Sequence, residues 1–265
     1  MWTVAHRELP AVVGDRTGIV DRIMLVLALD TATPAVTAGL VELGQAATGV
    51  DTRESADTSV STGPRTLAAR VHVDARAHAE VLTPQILDCL AEVGCARTDI
   101  SAIVVGVGPG PFTGLRVGMA TAAAFGDALG IPVYGVCSLD GIAADCAPDL
   151  ASDAELLVVT DARRREVYSA RYRDRGARRV AGPQVGKPGG LDLGAADVIA
   201  GSASHVDLFD LPVLPVETPS PAGLVRVAAP AIMARATPEP LVPLYLRRPD
   251  AVEQSYRTVD RTGVR

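Results

Sequence analysis

Two stretches of this chain carry groups that could do chemistry. In "LALDTATP" an apolar run ends at Asp30 and Thr31. A carboxylate and a hydroxyl at the tip of a buried strand can orient a magnesium-bound phosphate. The same pair also suits a plain hairpin turn, because Asp is a turn residue. The second stretch, "GVGPGPFTGLRVG" from Gly106 to Gly118, sits between an apolar run and an alanine-rich segment. There, backbone N–H groups at a helix start could meet an anion. Neither established nucleotide motif is present. The position five after Gly106 is Pro111, the position five after Gly108 is Thr113, and no lysine is near. Pro109 and Pro111 remove two donors. Asp30, Thr31, Gly108, Gly110 and Thr113 are therefore candidates for a degenerate phosphate loop.

From Gly114 small residues recur every fourth position, at Gly114, Gly118, Ala122, Gly126 and Gly130. Each interior glycine costs a helix roughly 1 kcal/mol against alanine. Close approach by another backbone is the usual compensation, and it could come from within the fold or from a partner. Other chemistries find little support. His6, His72, His78 and His205 form no HxxxH pair, and Cys89, Cys95, Cys137 and Cys146 form no CxxC pair. Eight arginines between Arg163 and Arg179 could contact RNA phosphates, or form the solvated face of a hairpin.

The elements that must hold these residues alternate in type. A strand at Leu25–Leu29, a turn and a strand at Val36–Val41 read as a hairpin, with a third strand around Leu67–Val73. Apolar residues at Val81, Leu82, Ile86, Leu87, Leu90 and Val93 predict an amphipathic helix with Asp74 as its N-cap. Pro84 implies a kink or a restart in that helix. Buried strands follow at "ISAIVVGVG" and "GIPVYGV". A second round then brings a helix at Ser138–Cys146, strands at "ELLVVTDA", "EVYSARYR" and "DVIAGS", and a helix at Ala222–Arg235. This order argues for a mixed α/β sheet architecture. We expect an N-terminal extension over residues 1–23, with Met24 as the native start. A first lobe over 24–136 would carry a mobile polar loop at 48–65. A smaller second lobe over 137–250 and a tail over 251–265 complete the division.

Composition narrows the function. The 265 residues are 48% hydrophobic and only 3% aromatic, so the core is built from aliphatic side chains. A net charge of −6 disfavours an autonomous nucleic-acid binder, since phosphate neutralisation supplies most non-specific affinity. No apolar run approaches the ~20 residues of a membrane span. Four unpaired cysteines and no secretory signal predict a cytoplasmic chain.

Taken in order, "LALDTAT", "HAEVLTPQIL", "VVGVGPGPFTGLRVGMATA", "GIPVYGVCSLD", "DARRREVY" and "PLYLRR" resemble the TsaB (YeaZ) family over roughly Met24–Asp250. The resemblance implies a two-lobed actin/Hsp70/sugar-kinase-like (ribonuclease H-like) α/β fold, with mixed sheets flanked by helices. It also implies a non-catalytic subunit. Its partner would be a catalytic paralogue, TsaD, which works with the ATPase TsaE to attach threonylcarbamoyl to the adenosine beside the anticodon of tRNAs reading ANN codons. The paralogue's metal-binding HxxxH would fall where this chain has Ser138 and Ile142, so no metal is expected. By the same resemblance the heterodimer forms through helices equivalent to Ala77–Val93 and Thr113–Leu129. That makes His78, Leu82, Ile86, Gly114, Arg116, Gly118, Ala122 and Gly126 the candidate partner face. No cofactor of its own is expected, with ATP or ADP a candidate only at the heterodimer junction, and tRNA is met only through the complex. Self-association of the free chain stays open. So do an actin-fold ATPase or kinase using Asp30 and the Gly108–Thr113 loop, and direct tRNA binding through Arg163–Arg179.

Overall fold

The computed structural model describes residues 23–44, 63–74 and 78–247. Residues 1–22 of the expected extension, most of the polar loop, the tail, and residues 75–77, between Asp74 and the helix it was expected to cap, lie outside them.

The first sheet begins with three antiparallel strands, β1 (Met24–Asp30), β2 (Ala35–Leu43) and β3 (Arg65–Val73). Helix α1 (His78–Val93) leads to β4 (Ile100–Gly106), and helix α2 (Phe112–Leu129) leads to β5 (Val133–Val136). β1, β4 and β5 run parallel, so the sheet is mixed, in the order β3-β2-β1-β4-β5. β1 lies in its middle and is buried from Val26 to Asp30, which explains its unbroken apolar sequence. α1 does not restart at Pro84. The helix runs through it with Pro84 and Glu80 exposed, so the carbonyl that loses its N–H partner faces water.

The second sheet repeats the plan. β6 (Glu155–Asp161) pairs antiparallel with β7 (Val167–Arg173) on one side, β7 in turn pairs antiparallel with β8 (Arg178–Gly186), and β9 (Ala196–Gly201) lies parallel to β6 on the other side. Its helices are α3 (Ser138–Cys146) and the short α4 (Ala203–Val206).

One face of the first sheet packs on α1 and α2 through Leu27, Leu29, Leu82, Ile86 and Met119. Its other face is covered by α5 (Pro221–Met233) through Val26, Ala28, Val104, Leu224 and Ile232. α5 also packs along α3. By sequence α5 falls in the second lobe, yet its apolar stripe completes the first. Periodicity reveals that a helix has an apolar face, not which sheet will cover it.

The chain then crosses between the lobes over residues 241–247. The Leu244 N–H donates to the Val107 carbonyl at 2.8 Å, and the Leu244 side chain packs against the cores of both lobes. Leu246 packs in the second core, and Arg247 donates to the Ala162 carbonyl at 2.7 Å.

Candidate functional site

The two stretches singled out by sequence meet at the C-terminal edge of the first sheet, but they meet each other rather than a ligand. Asp30 is fully buried. Its Oδ2 accepts the Ser138 hydroxyl at 2.5 Å, and its Oδ1 accepts the Ala32 N–H at 3.0 Å. Burial pushes its carboxyl up to about 6, with the Ser138 hydrogen bond acting in the opposite sense. A Cβ on Gly106 would stand 1.8 Å from Oδ2, so only glycine lets β4 lie against this carboxylate. Thr31, also fully buried, donates from Oγ1 to the Gly114 carbonyl at 2.7 Å and accepts the Gly118 N–H at 3.1 Å. The hydrogen-bonding atoms of Asp30 and Thr31 are thus taken up inside the protein.

The loop between β4 and α2 is equally committed. A Cβ on Gly110 would lie 2.1 Å from the Ala32 carbonyl oxygen. Gly108, at φ +103°, accepts the Ser138 N–H on its carbonyl at 2.8 Å. Of the five candidates for a degenerate phosphate loop, only Thr113 is exposed. Asp30 and Thr31 are both enclosed and hydrogen-bonded within the fold. They clamp β1, α2 and α3 together.

The small-residue ladder also turns inward. A Cβ on Gly114 would fall 2.5 Å from the Thr31 carbonyl, one on Gly118 2.4 Å from Thr31 Oγ1, and one on Gly126 2.3 Å from Val133. Ala122 is fully buried in the first core. His78, Leu82 and Ile86 are buried too, with His78 Nε2 3.3 Å from the Thr33 carbonyl. Of the eight residues expected on the partner face, Arg116 alone is exposed. The other seven are covered by their own chain. The small residues that admit a close neighbour admit the Thr31 turn and β5. The outward face instead carries Thr83, Pro84 and Leu87 on α1, with Ala120, Ala123 and Ala124 on α2.

Sequence reasoning also missed a cluster at the start of α2. Phe112 stacks on Tyr245 with ring centroids 5.0 Å apart, and the Arg116 guanidinium lies 3.8 Å over the Phe112 ring. Arg116 Nε donates to the Tyr245 hydroxyl at 2.9 Å. Arg116 and Tyr245 are 129 positions apart, so no local spacing could signal their contact. Beside this cluster a cavity of about 820 Å³ opens between the lobes. It is lined by Thr113 and Gly114 on one side and by Asp161, Arg163, Arg164 and Arg247 on the other.

Four of the eight arginines of the run pair with carboxylates. Arg171 and Arg173 grip the buried Glu155, Arg178 pairs with Asp174, and Arg179 with Asp140. Ser138 and Ile142 are both fully buried, and no metal-binding cluster occurs among the described residues.

A family model described as "TsaD: tRNA N6-adenosine threonylcarbamoyltransferase" matches residues 70–223. The solved structure of YeaZ from Pseudomonas aeruginosa superposes with a TM-score of 0.65 at 26% identity, over 84% of this chain and 100% of that one. The chain belongs to the TsaB (YeaZ) family. Its fold is accordingly the actin-like two-lobed α/β fold, with mixed sheets flanked by helices. TsaB of Escherichia coli is 31% identical over 149 residues, which is 56% of this chain and 55% of that protein. An uncharacterized protein of Mycobacterium tuberculosis is 53% identical over 230 residues, 87% of this chain and 95% of its own. One of Mycobacterium leprae is 54% identical over 227 residues, 86% of this chain. This TsaB-family chain spans 56% of the length of that M. leprae relative. No helix among the described residues is long and apolar enough to cross a membrane.

Proposed function

We propose that this chain is a non-catalytic subunit in the biosynthesis of threonylcarbamoyladenosine in tRNA. It would bind and activate a TsaD-type catalytic paralogue in the cytoplasm, with a TsaE-type ATPase completing the assembly. The observation that carries this reading is the sealed Asp30. A carboxylate enclosed by Ser138, Ala32 and Gly106 has no path to a substrate, and the same closure weighs against an ATPase or kinase acting through it. The name of the E. coli relative supports the pathway. The partner surface is the outward face of α1 and α2, around Leu87 and Ala120–Ala124, rather than the inward ladder. Leu87 is 44% exposed, and the alanines offer a low surface on which a helix can lie closely. In the absence of the paralogue a second copy could use the same face. Transfer RNA would be met by the assembly, since four of the eight arginines of the run are neutralised within the fold.

The test is light scattering on size-exclusion peaks, mixing this protein with the TsaD-type paralogue of the same organism. Wild type should form a one-to-one complex that supports tRNA modification. Leu87→Glu and Ala124→Glu should abolish the complex while each variant keeps its native circular dichroism. Unaltered binding by both variants would remove this face from consideration. Separate peaks for wild type would remove the scaffold role itself.

A further inference from the structure

The two lobes meet along two lines of unequal tightness. On the α5 side the helices α3 and α5 are pressed together. The Ser220 N–H and hydroxyl both donate to the Asp145 carboxylate at 2.6 Å, and Arg226 donates to the Ala144 carbonyl at 2.8 Å. A Cβ on Gly141 would stand 2.9 Å from Pro219, and one on Gly223 2.5 Å from Asp145. The start of α3 is fixed as well, through Ser138 to Asp30 and to the Gly108 carbonyl. Since α3 packs in the second core and α5 in the first, this seam joins the lobes without slack.

On the α2 side the lobes stand apart across a cavity, and Tyr245 reaches over its edge. Its ring stacks on Phe112, and its hydroxyl accepts the Arg116 Nε–H at 2.9 Å. The next two residues are held by the other lobe. Leu246 packs in the second core, and Arg247 is fixed by the Ala162 carbonyl at 2.7 Å and by Glu166 at 2.9 Å. Any rotation about the α3–α5 seam therefore pulls on the segment between Leu244 and Arg247, where Tyr245 grips α2.

This grip is open to a partner. Phe112 is 41% exposed, Tyr245 is 38% exposed, and Arg116 is exposed as well. Helical spacing puts Phe112, Arg116, Ala120 and Ala123 on one exposed stripe of α2. The stack is thus continuous with the outward face assigned above to the paralogue. No carboxylate pairs with Arg116 among the described residues, so the Tyr245 hydroxyl and the Phe112 ring are what orient it.

We propose that docking of the TsaD-type paralogue on α1 and α2 fixes the angle between the lobes through Tyr245, with the α3–α5 seam as pivot. This rests on the docking face proposed above and adds its regulation. A partner that covers Phe112 and Arg116 restrains the Tyr245 ring, and Tyr245 restrains the second lobe. The coupling is reciprocal, so a lobe angle held by Tyr245 also raises partner affinity. Tyr245 is a positioning residue in this account.

Spin labels on Thr98→Cys in the first lobe and Asp153→Cys in the second, both exposed positions, report the inter-lobe distance by double electron–electron resonance. The full-length protein would carry Cys95→Ser, since Cys89, Cys137 and Cys146 are buried. With Tyr245 intact the distance distribution should be narrow and should narrow further when the paralogue binds. Tyr245→Ala should broaden it in the free chain, leave it broad in the complex, and weaken paralogue binding at least about fivefold. Tyr245→Phe keeps the stack but loses the hydroxyl, and should fall between the two. Equal distributions with and without the Tyr245→Ala change, or no narrowing on binding with Tyr245 intact, would overturn the proposal and leave the docking face standing. A free-chain difference with no complex at all would instead remove the docking face on which the coupling rests.

Discussion

Replacing Gly118 by alanine separates local helix preference from the packing seen here. In a solvated helix the change is worth about 1 kcal/mol of added stability. In this protein the new Cβ would stand 2.4 Å from Thr31 Oγ1. To make room the Thr31 hydroxyl must rotate away, giving up its bonds to the Gly114 carbonyl and the Gly118 N–H. Each such bond contributes about 1 kcal/mol, and a buried group left without a partner costs about 1–3 kcal/mol more. Set against the helix gain, Gly118→Ala should destabilise by about 2 kcal/mol, the reverse of the propensity sign. Urea unfolding monitored by circular dichroism gives this as a lower midpoint with an unchanged slope. Thr31→Ala removes the obstructing oxygen, leaving the added Cβ 3.5 Å from Thr31 Cβ. In the double variant the two losses should then fall short of their sum by more than about 0.5 kcal/mol. Strict additivity, or a Gly118→Ala protein more stable than wild type, would refute the account of the ladder as an internally filled seam.

Three further outcomes follow from the same geometry. Ala122, fully buried, should tolerate Leu badly, with about 1–3 kcal/mol lost in urea unfolding, whereas Ala123→Leu on the outward face should lie within about 0.5 kcal/mol of wild type. The Asp30 carboxyl is raised from 3.8 to about 6 by burial. Its native form holds the proton more tightly than the unfolded chain does, so its contribution is complete below pH 3.8 and is lost as pH rises through about 6. Denaturation of wild type and Asp30→Asn across that window should show their stability difference moving by about 3 kcal/mol in favour of the variant, then staying constant above pH 7. Burial also pushes the thiols of Cys137 and Cys146 to about 12. A thiol reagent at pH 8 should leave both unlabelled in the native protein and modify both in urea, as mass spectrometry would report.

What the sequence disclosed, and what it withheld, divides along range. The central strands β1 and β4 and the helices α1 and α2 are legible because each buries a face whose period is written locally. β8 escapes notice because its half-buried positions Ala181, Pro183, Val185 and Gly186 hold a single large apolar side chain, while Val180 is exposed, so no apolar alternation marks it. The ladder was legible as a demand for close approach, but the direction of that approach was not. What fills it is Thr31, 87 positions from Gly118. Likewise Asp30 reads as a chemical group until Ser138, 108 positions away, closes over it. The Arg163–Arg179 run shows the same limit in reverse. Its charge is obvious in the chain, but its neutralisation depends on Glu155, Asp140 and Asp174, which the fold brings alongside.

The crossing segment at 241–247 changes how the molecule should respond to damage. Two sheets with separate cores would ordinarily behave as two bodies, each able to melt alone. Here Leu244 is shared by both cores, its N–H completes the backbone of the first lobe at Val107, and Arg247 closes on the second at Ala162. A single backbone cut ahead of Leu241 would therefore loosen both lobes at once, so that protease and heat should meet one cooperative unit rather than two beads on a string.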